Sequence, residues 1–584
     1  MRPTKLLIAT AVSFALAATV QAAAKDGTYE GTANGKNGPL TVQVVIKNSK
    51  IASVKVLKSG ETAMVSDAAM ERVPAEIVKT QSLRVDNVAG ATLTSMAIQA
   101  AATNAVKAAG GQPSEYYKKP VKKQPSGMEV TYKTDVVVVG SGASGMAAAV
   151  RAQLNGLPTI LIEKMPTLGG DTILNAGTLI ATGSRYQKEV MKEMKDSPEL
   201  AFKDIMKVGK NKNDPVLVNM VTHKVGGVVD WLIDDLKIPY GPAATQYPDH
   251  SAERQLGVQG RSPNFIKTMA SILTDHGGKI LMETKATKLI YKDHRVRGVE
   301  AVNAAGDEIK IYAKDTILAS GGFGANTKML PPTLKGFLFY GLDSDAGQGY
   351  EMARKVGAKD INMDLVKVYP QGVETTPNHG LAATASSTAT INDTGAIYVN
   401  SDGKPIINER ASLGELTDIT VAQKDKIMYL VMDANGYKRY LSKSLEDKLV
   451  PDEAELRKWL KIVNNGKPVM VESDSLAKAA DVMGINAKNL EATVAEWNKM
   501  AEAGKDTQFG RKDPKELIKA PYYIVEQKPR FATTLGGLKA NAKMQIIGKN
   551  GKPIPGLYGA GCVVGGANGA DSMTAMMNSW AIIS

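Results

Sequence analysis

Two stretches of this 584-residue chain carry residue types and spacings suited to gripping phosphate. The first is Gly140-Ser141-Gly142-Ala143-Ser144-Gly145. An apolar, strand-like run (134–140) leads into it and an Ala-rich helical run (146–154) follows. Glycine at these three positions permits a tight turn, close backbone approach to a pyrophosphate and close helix–strand packing. A second strand-like run (159–162) ends at Glu163, 21 positions past Gly142. That spacing sets a carboxylate on a ribose hydroxyl after a βαβ turn, so strand, loop, helix and acid together predict a dinucleotide site. The second stretch is Asp86-Asn87-Val88-Ala89-Gly90-Ala91-Thr92-Leu93-Thr94, a loop just ahead of an Ala-rich amphipathic helix predicted over 94–109. The free N–H groups and positive dipole of a helix N-terminus favour a phosphate there.

Other glycine turns expose backbone in the same way. They are Gly169-Gly170-Asp171-Thr172, Ala176-Gly177-Thr178 and Gly321-Gly322-Phe323-Gly324, the last ending a strand-like run from Thr316. Near the C-terminus come Gly559-Ala560-Gly561 and Gly565-Gly566-Ala567-Asn568-Gly569. Nucleotide-facing strand ends thus come from distant parts of the chain, which predicts an insertion between them over 364–525. Residues 280–291 and 296–302 read as paired strands. Residues 25–110 form a separate unit. In it 41–46 and 51–56 make a hairpin around Lys47-Asn48-Ser49-Lys50, and helices follow at 68–80 and 94–109. Residues 111–130 are a linker rich in Pro, Gly and Lys. The expected class is α/β. A Rossmann-like domain in two parts (131–363 and 526–584) is interrupted by an α+β cap and preceded by a small α+β unit.

Composition narrows the function. Arg2 and Lys5 precede an apolar run to Val20 and small residues through Ala24, the layout of a signal peptide over 1–24. Export to the periplasm follows as an expectation, and no later stretch reads as long and apolar enough to cross a bilayer. The single cysteine, Cys562, provides no disulfide framework, and no Cys-x-x-Cys-His exists for a c-type haem. The five histidines show no metal-ligand spacing. A net charge of +13 comes from scattered lysines, several in the linker, without a dense basic helix or aromatic–basic interleaving, which argues against nucleic acid. It suits anionic small molecules or an acidic redox partner.

Taken together, these motifs resemble the soluble fumarate-reductase-like flavoproteins, including flavocytochrome c fumarate reductases and urocanate reductase, over essentially the whole mature chain. The resemblance rests on residues 138–145, Glu163-Lys164, Gly169–Thr172, Ala319–Phe323, Asn408-Glu409, Thr534-Leu535-Gly536-Gly537 and 556–569. It implies non-covalent FAD held by Gly140, Gly142, Ala143, Ser144, Gly145, Glu163, Lys164, Gly169, Gly170, Thr172, Ala176, Gly177, Gly321, Gly322, Gly561 and Asn578. The front unit resembles the FMN-binding domain shared with sodium-pumping quinone reductase subunits. That likeness implies FMN esterified to Thr92 by a flavin transferase whose recognition motif includes Asp86, with Thr94 as the fallback attachment site.

The family uses a cap-domain arginine past an Asn-Glu pair as proton donor. Here Arg410 follows Asn408-Glu409 at once, while the usual spacing falls on Leu413, so Arg410 is the candidate acid. Arg254, Arg261 and Tyr369 are next in line. The family's substrate-contacting positions map to Tyr369, Thr533, Gly566, Asn568 and Ser572. A family histidine is replaced by Tyr369, a second by Thr533, and a carboxylate-binding arginine by Ser572. A second substrate carboxylate would lack neutralisation in a dry site, at a cost of several kcal/mol. The resemblance therefore implies a reductase of a 2-enoate with one carboxylate, of urocanate, cinnamate or acrylate type. Electrons would arrive from a c-type cytochrome or another periplasmic donor through the FMN. Three other readings keep the same flavin sites: a dehydrogenase forming a double bond in a ketosteroid-like or acid substrate with Tyr369 as base, a fumarate reductase, and an electron carrier without catalysis. The large cap argues against the carrier.

Overall fold

The computed structural model describes residues 24–117, 127–175, 177–243, 249–447, 449–511, 513–514 and 516–584. Nearly all of the expected signal peptide, the linker lysines and Ala176 lie outside the described residues.

The front unit is a three-stranded antiparallel sheet, Gly27–Asn34, Pro39–Lys47 and Lys50–Ser59, covered by helices Asp67–Thr80 and Thr92–Ala108. Strand alternation buries Leu40, Val42, Val44 and Ile46 against the helices. The hairpin turns through Asn48 and Ser49 at φ 52° and 58°, the two positive values a tight two-residue turn needs. The second helix begins at Thr92, two residues earlier than the pattern predicts, so Thr92 sits in its first turn rather than in the preceding loop. Small residues let that helix lie close to the sheet. A Cβ at Gly31 would fall 2.0 Å from the Ala101 carbonyl oxygen.

The Rossmann-like sheet places Lys279–Leu281, Thr159–Ile162, Glu129–Val139 and Glu308–Leu318 side by side and parallel. Pro553–Gly559 pairs in parallel with the C-terminal end of Glu308–Leu318, past the antiparallel pairing of Arg295–Asn303, with Leu318 opposite Gly559. Both parts of the expected split domain therefore meet in one sheet. The predicted strand over 280–291 is in fact two. Lys279–Leu281 belongs to the parallel sheet, and after a turn at Glu283 (φ 50°) Thr284–Lys292 pairs antiparallel with Arg295–Asn303.

A second sheet of seven strands forms the cap. Its centre is Tyr522–Thr534, flanked by Val366–Thr376 and Met428–Met432. Separate cores lie on its two faces, one around Tyr398, Tyr440 and Trp459, the other around Trp497 and Leu490. The expected junction at 525/526 falls inside Tyr522–Thr534, and Leu338–Phe339, ahead of 364, also joins this sheet.

One membrane expectation needs correcting. Pro215–Asp235 is a 21-residue helical stretch of mean hydropathy 1.3, which is long and apolar enough to span. Its apolar face, including Leu217, Val221, Val225, Val229 and Leu232, is buried in the Rossmann-domain core.

Candidate functional site

The glycine motif builds a cradle at the carboxyl ends of the parallel strands. A Cβ at Gly140 would meet the Ala319 carbonyl oxygen at 2.4 Å, and one at Gly145 the Gly140 oxygen at 1.9 Å. Helix Ala143–Leu154 can start this close to the strand only because both are glycine. The Ala143 N–H donates to Thr172 Oγ1 at 3.0 Å, which ties the loop to the next glycine turn. Glu163 lies at the end of its strand, its Oε2 accepting from the Ser141 N–H (3.0 Å) and hydroxyl (2.6 Å), its Oε1 from the Met165 N–H (2.9 Å).

A cleft runs over this cradle. Gly140, Gly142, Ser144, Glu163, Lys164, Gly170, Thr172, Gly321, Gly322 and Thr533 line it, so the structure gathers most of the residues expected to hold FAD. Ala143, Gly145 and Gly169 stand directly behind the lining. Gly561 is close to Ser144, since a Cβ there would lie 2.3 Å from Ser144 Oγ. Gly177 and Asn578 are one step away. Asn175 Oδ1 accepts from the Gly177 N–H at 2.7 Å, and the Asn175 side chain donates to Asn578 Oδ1 at 3.0 Å.

Buried charge accompanies the cleft. Lys164 Nζ donates to Gln348 Oε1 at 2.7 Å and to the Ser344 carbonyl, and burial lowers its pKa. Burial pushes the Asp171 carboxyl up to about 6, although it accepts from the Leu342 N–H at 2.9 Å. Asp345, buried and facing Asp171, is raised well above the usual carboxylate range, first by burial and then by that neighbour. Asp345 belongs to no sequence motif, so only the fold reveals it.

On the cap side the two strands that cross between domains face each other, Tyr369 opposite Arg530. The Arg530 guanidinium lies 4.7 Å from the Tyr369 ring and 4.1 Å from the Tyr340 ring. Lys367 is buried, 4.9 Å from the Tyr369 ring, ion-paired with Asp571 and hydrogen-bonded to the Ser572 carbonyl at 3.1 Å. The Ser572 hydroxyl donates to Asn568 Oδ1 at 2.7 Å, and Gly566 (φ 109°) takes the Asp214 N–H at 2.7 Å. The expected substrate residues Tyr369, Asn568 and Ser572 are thus brought together with Lys367 and Arg530, two cations the motifs did not single out.

Arg410 is not part of this cluster. It is exposed, its backbone N–H bonded to Asn408 Oδ1 and its guanidinium to the Asn392 carbonyl at 3.2 Å. The adjacent Glu409 takes the buried side of the turn, paired with Arg511 at 2.9 Å, and this directs Arg410 outward. Arg254 is also committed, fully buried between Asp196 and Asp204. Arg261 opens a helix at φ 61° and does not line the cleft.

The front unit meets the cleft through its flavin-type loop. Gly90 (φ 73°) lies so close to Met165 that a Cβ would fall 1.8 Å from its Cε, and Met165 lines the cleft. Thr92 is half-buried at the helix N-terminus, whereas the Thr94 hydroxyl is buried and donates to the Glu61 carboxylate. Of the two threonine hydroxyls, that of Thr94 is committed to Glu61.

Comparisons with known proteins agree with this geometry. Residues 135–576 match the FAD binding domain family and residues 35–107 the FMN-binding domain family. The chain is 33% identical over 556 residues to a urocanate reductase of Eggerthella lenta, covering 93% of this chain and 88% of that protein. It is 27% identical over 623 residues to an NADH:acrylate oxidoreductase of Vibrio harveyi, covering 94% of this chain and 59% of that protein. Among solved structures, the open conformation of a flavocytochrome c3 fumarate reductase superposes with a TM-score of 0.63 at 26% identity, over 81% of this chain and 82% of that one. The chain is a flavin-dependent oxidoreductase and belongs to the fumarate-reductase-like flavoproteins, with an FMN-binding domain ahead of the FAD-binding fold.

Proposed function

We propose that this protein is an exported terminal reductase that saturates the C=C bond of an α,β-unsaturated monocarboxylate. In this reading FMN is esterified to Thr92 by a flavin transferase, FAD is held non-covalently in the cleft, and a c-type cytochrome or another periplasmic donor supplies electrons. The observation that carries it is the apposition of the two flavin-type sites, Gly90 against Met165 at the cleft wall.

FAD held in the cleft and reduced by the incoming two electrons would supply the hydride that the β-carbon of the enoate accepts. The chain's own residues do the rest. The glycine cradle and Glu163 would fix the dinucleotide, and Thr533, near the end of cap strand Tyr522–Thr534, borders the cleft. Tyr369 positions the substrate. Ser572 and Thr533 offer hydroxyls where a dicarboxylate would need cations, so fumarate is the poorer substrate. With Arg410 at the surface, the α-carbon proton comes from the Tyr369–Lys367 side of the site, where Lys367 is buried and Tyr369 half-buried.

The test uses the purified mature protein. Denatured chain is expected to keep a fluorescent flavin on the peptide containing Thr92, and Thr92→Ala to lose it. Reduced methyl viologen is expected to be oxidised anaerobically by urocanate-, cinnamate- or acrylate-type acids, faster than by fumarate. A panel in which no enoate oxidises the dye refutes the reductase reading. The Vibrio relative's name gives NADH as donor. Direct oxidation of NADH by this protein would replace the cytochrome in the scheme.

A further inference from the structure

Arg530 is a buried cation whose hydrogen-bonding capacity is only partly used. It is 4% exposed. Its Nε donates to the Gln371 carbonyl at 3.1 Å and its Nη2 to Thr384 Oγ1 at 2.7 Å. Nη1 is enclosed and has no acceptor. No carboxylate forms an ion pair with it among the described residues. The guanidinium instead contacts Tyr340 and Tyr369, whose rings stand edge-on with centroids 6.5 Å apart. Cation–π contact offsets part of the desolvation of a charge but supplies no acceptor for an N–H. The nearby cation Lys367 is already neutralised by Asp571, so the cluster keeps one uncompensated positive charge.

The position of that charge matters. Three residues along the same strand, Thr533 lines the flavin cleft. Two residues past Tyr340, the Leu342 N–H holds Asp171, another cleft residue. We propose that Arg530 is the substrate's carboxylate-binding residue, with Nη1 taking one carboxylate oxygen and Tyr340 and Tyr369 bracketing a planar tail. The inference rests on the enoate-reductase reading and names its substrate class, a monocarboxylate with a flat conjugated substituent. Because Nε and Nη2 are held by Gln371 and Thr384, the anchor grips a single oxygen. A second carboxylate finds no uncommitted cation in the cluster. Tyr340 is half-buried and is the ring that moves to admit the ligand.

The test titrates oxidised holoenzyme with 3-phenylpropanoate, which is saturated and not turned over, and with the neutral 3-phenylpropanamide, following the flavin absorbance change. Wild type is expected to bind the acid about 10- to 100-fold tighter than the amide. Arg530→Gln is expected to bind the two alike, and Arg530→Lys to keep part of the preference. A purely structural arginine would weaken both ligands by one factor; that result, or an undiminished acid preference in Arg530→Gln, overturns the assignment. Flavin content is measured first. Should Arg530→Gln lose flavin, Arg530→Lys and Tyr340→Ala decide. The former is expected to reduce the acid-to-amide ratio, and the latter to weaken both ligands while leaving the ratio intact. An unchanged ratio in Arg530→Lys overturns the assignment. A wild type that prefers the acid yet reduces no enoate keeps this site and refutes the reductase reading. One that reduces enoates without preferring the acid does the reverse.

Discussion

Glu163 is held from two sides before any ribose arrives, by Ser141 on one oxygen and Met165 on the other. Its orientation is therefore part of the fold. Glu163→Gln removes charge-assisted bonds of about 1.5–3 kcal/mol each and is expected to weaken FAD retention roughly 10-fold or more, read by flavin loss on gel filtration. Arg410 gives the opposite expectation. Exposed and bonded to a surface carbonyl, Arg410→Ala should reduce enoates at close to the wild-type rate; loss of turnover with both flavins bound would return it to the site. Asp171 sets a pH dependence. Its folded pKa of about 6 lies above the ordinary 3.8, so the folded state favours its proton. That contribution is full below pH 3.8 and lost as pH rises through about 6. In FAD-free protein, Asp171→Asn is expected to flatten the fall in Tm between about pH 4 and 6, and an unchanged slope would refute the account.

The βαβ elements were legible because local pattern and glycine spacing determine them. Even the close approach of Gly145 to the Gly140 carbonyl is implicit in the motif. The cap was less so. Tyr522–Thr534 takes its role from pairing with Val366–Thr376, some 150 residues earlier, and no local signal reports that partner. Lys367 and Arg530 were missed for the same reason, as ordinary basic residues until the two crossing strands bring them to one place. Arg410 was misplaced because a motif fixes sequence neighbours but not which side of a turn is buried. The Lys367–Asp571 pair ties a cap strand to the C-terminal loop with both side chains largely enclosed. Asp571→Asn leaves a buried lysine without its partner and is expected to cost about 3–5 kcal/mol, measured by urea unfolding of the FAD-free chain. A change below 1 kcal/mol would show the pair to be solvated.

At the scale of the whole molecule, the front unit has a core of its own and is tied to the rest of the chain by polar contacts. Lys36 Nζ donates to the Gly341 carbonyl at 2.6 Å, and Arg72 pairs with Glu283 at 2.7 Å. The exposed Arg72–Glu283 pair contributes about 0.2–1 kcal/mol, and the half-buried hydrogen bond from the Lys36 ammonium about 1.5–3 kcal/mol. Lys36→Ala with Arg72→Ala is therefore expected to lower dye-driven turnover about 2- to 10-fold at unchanged flavin content; no change would mean that docking does not limit electron delivery. The same unit also touches the cap, where Gly38 lies against Glu455 and Gly60 against Pro451. It thus bridges two bodies that are joined to each other by a pair of crossing strands. Any swing of the lid about those strands must pull one set of these contacts away from the other. Under the proposed relay, such a swing would draw the front unit away from the FAD cleft, so electron delivery would be coupled to closure over substrate.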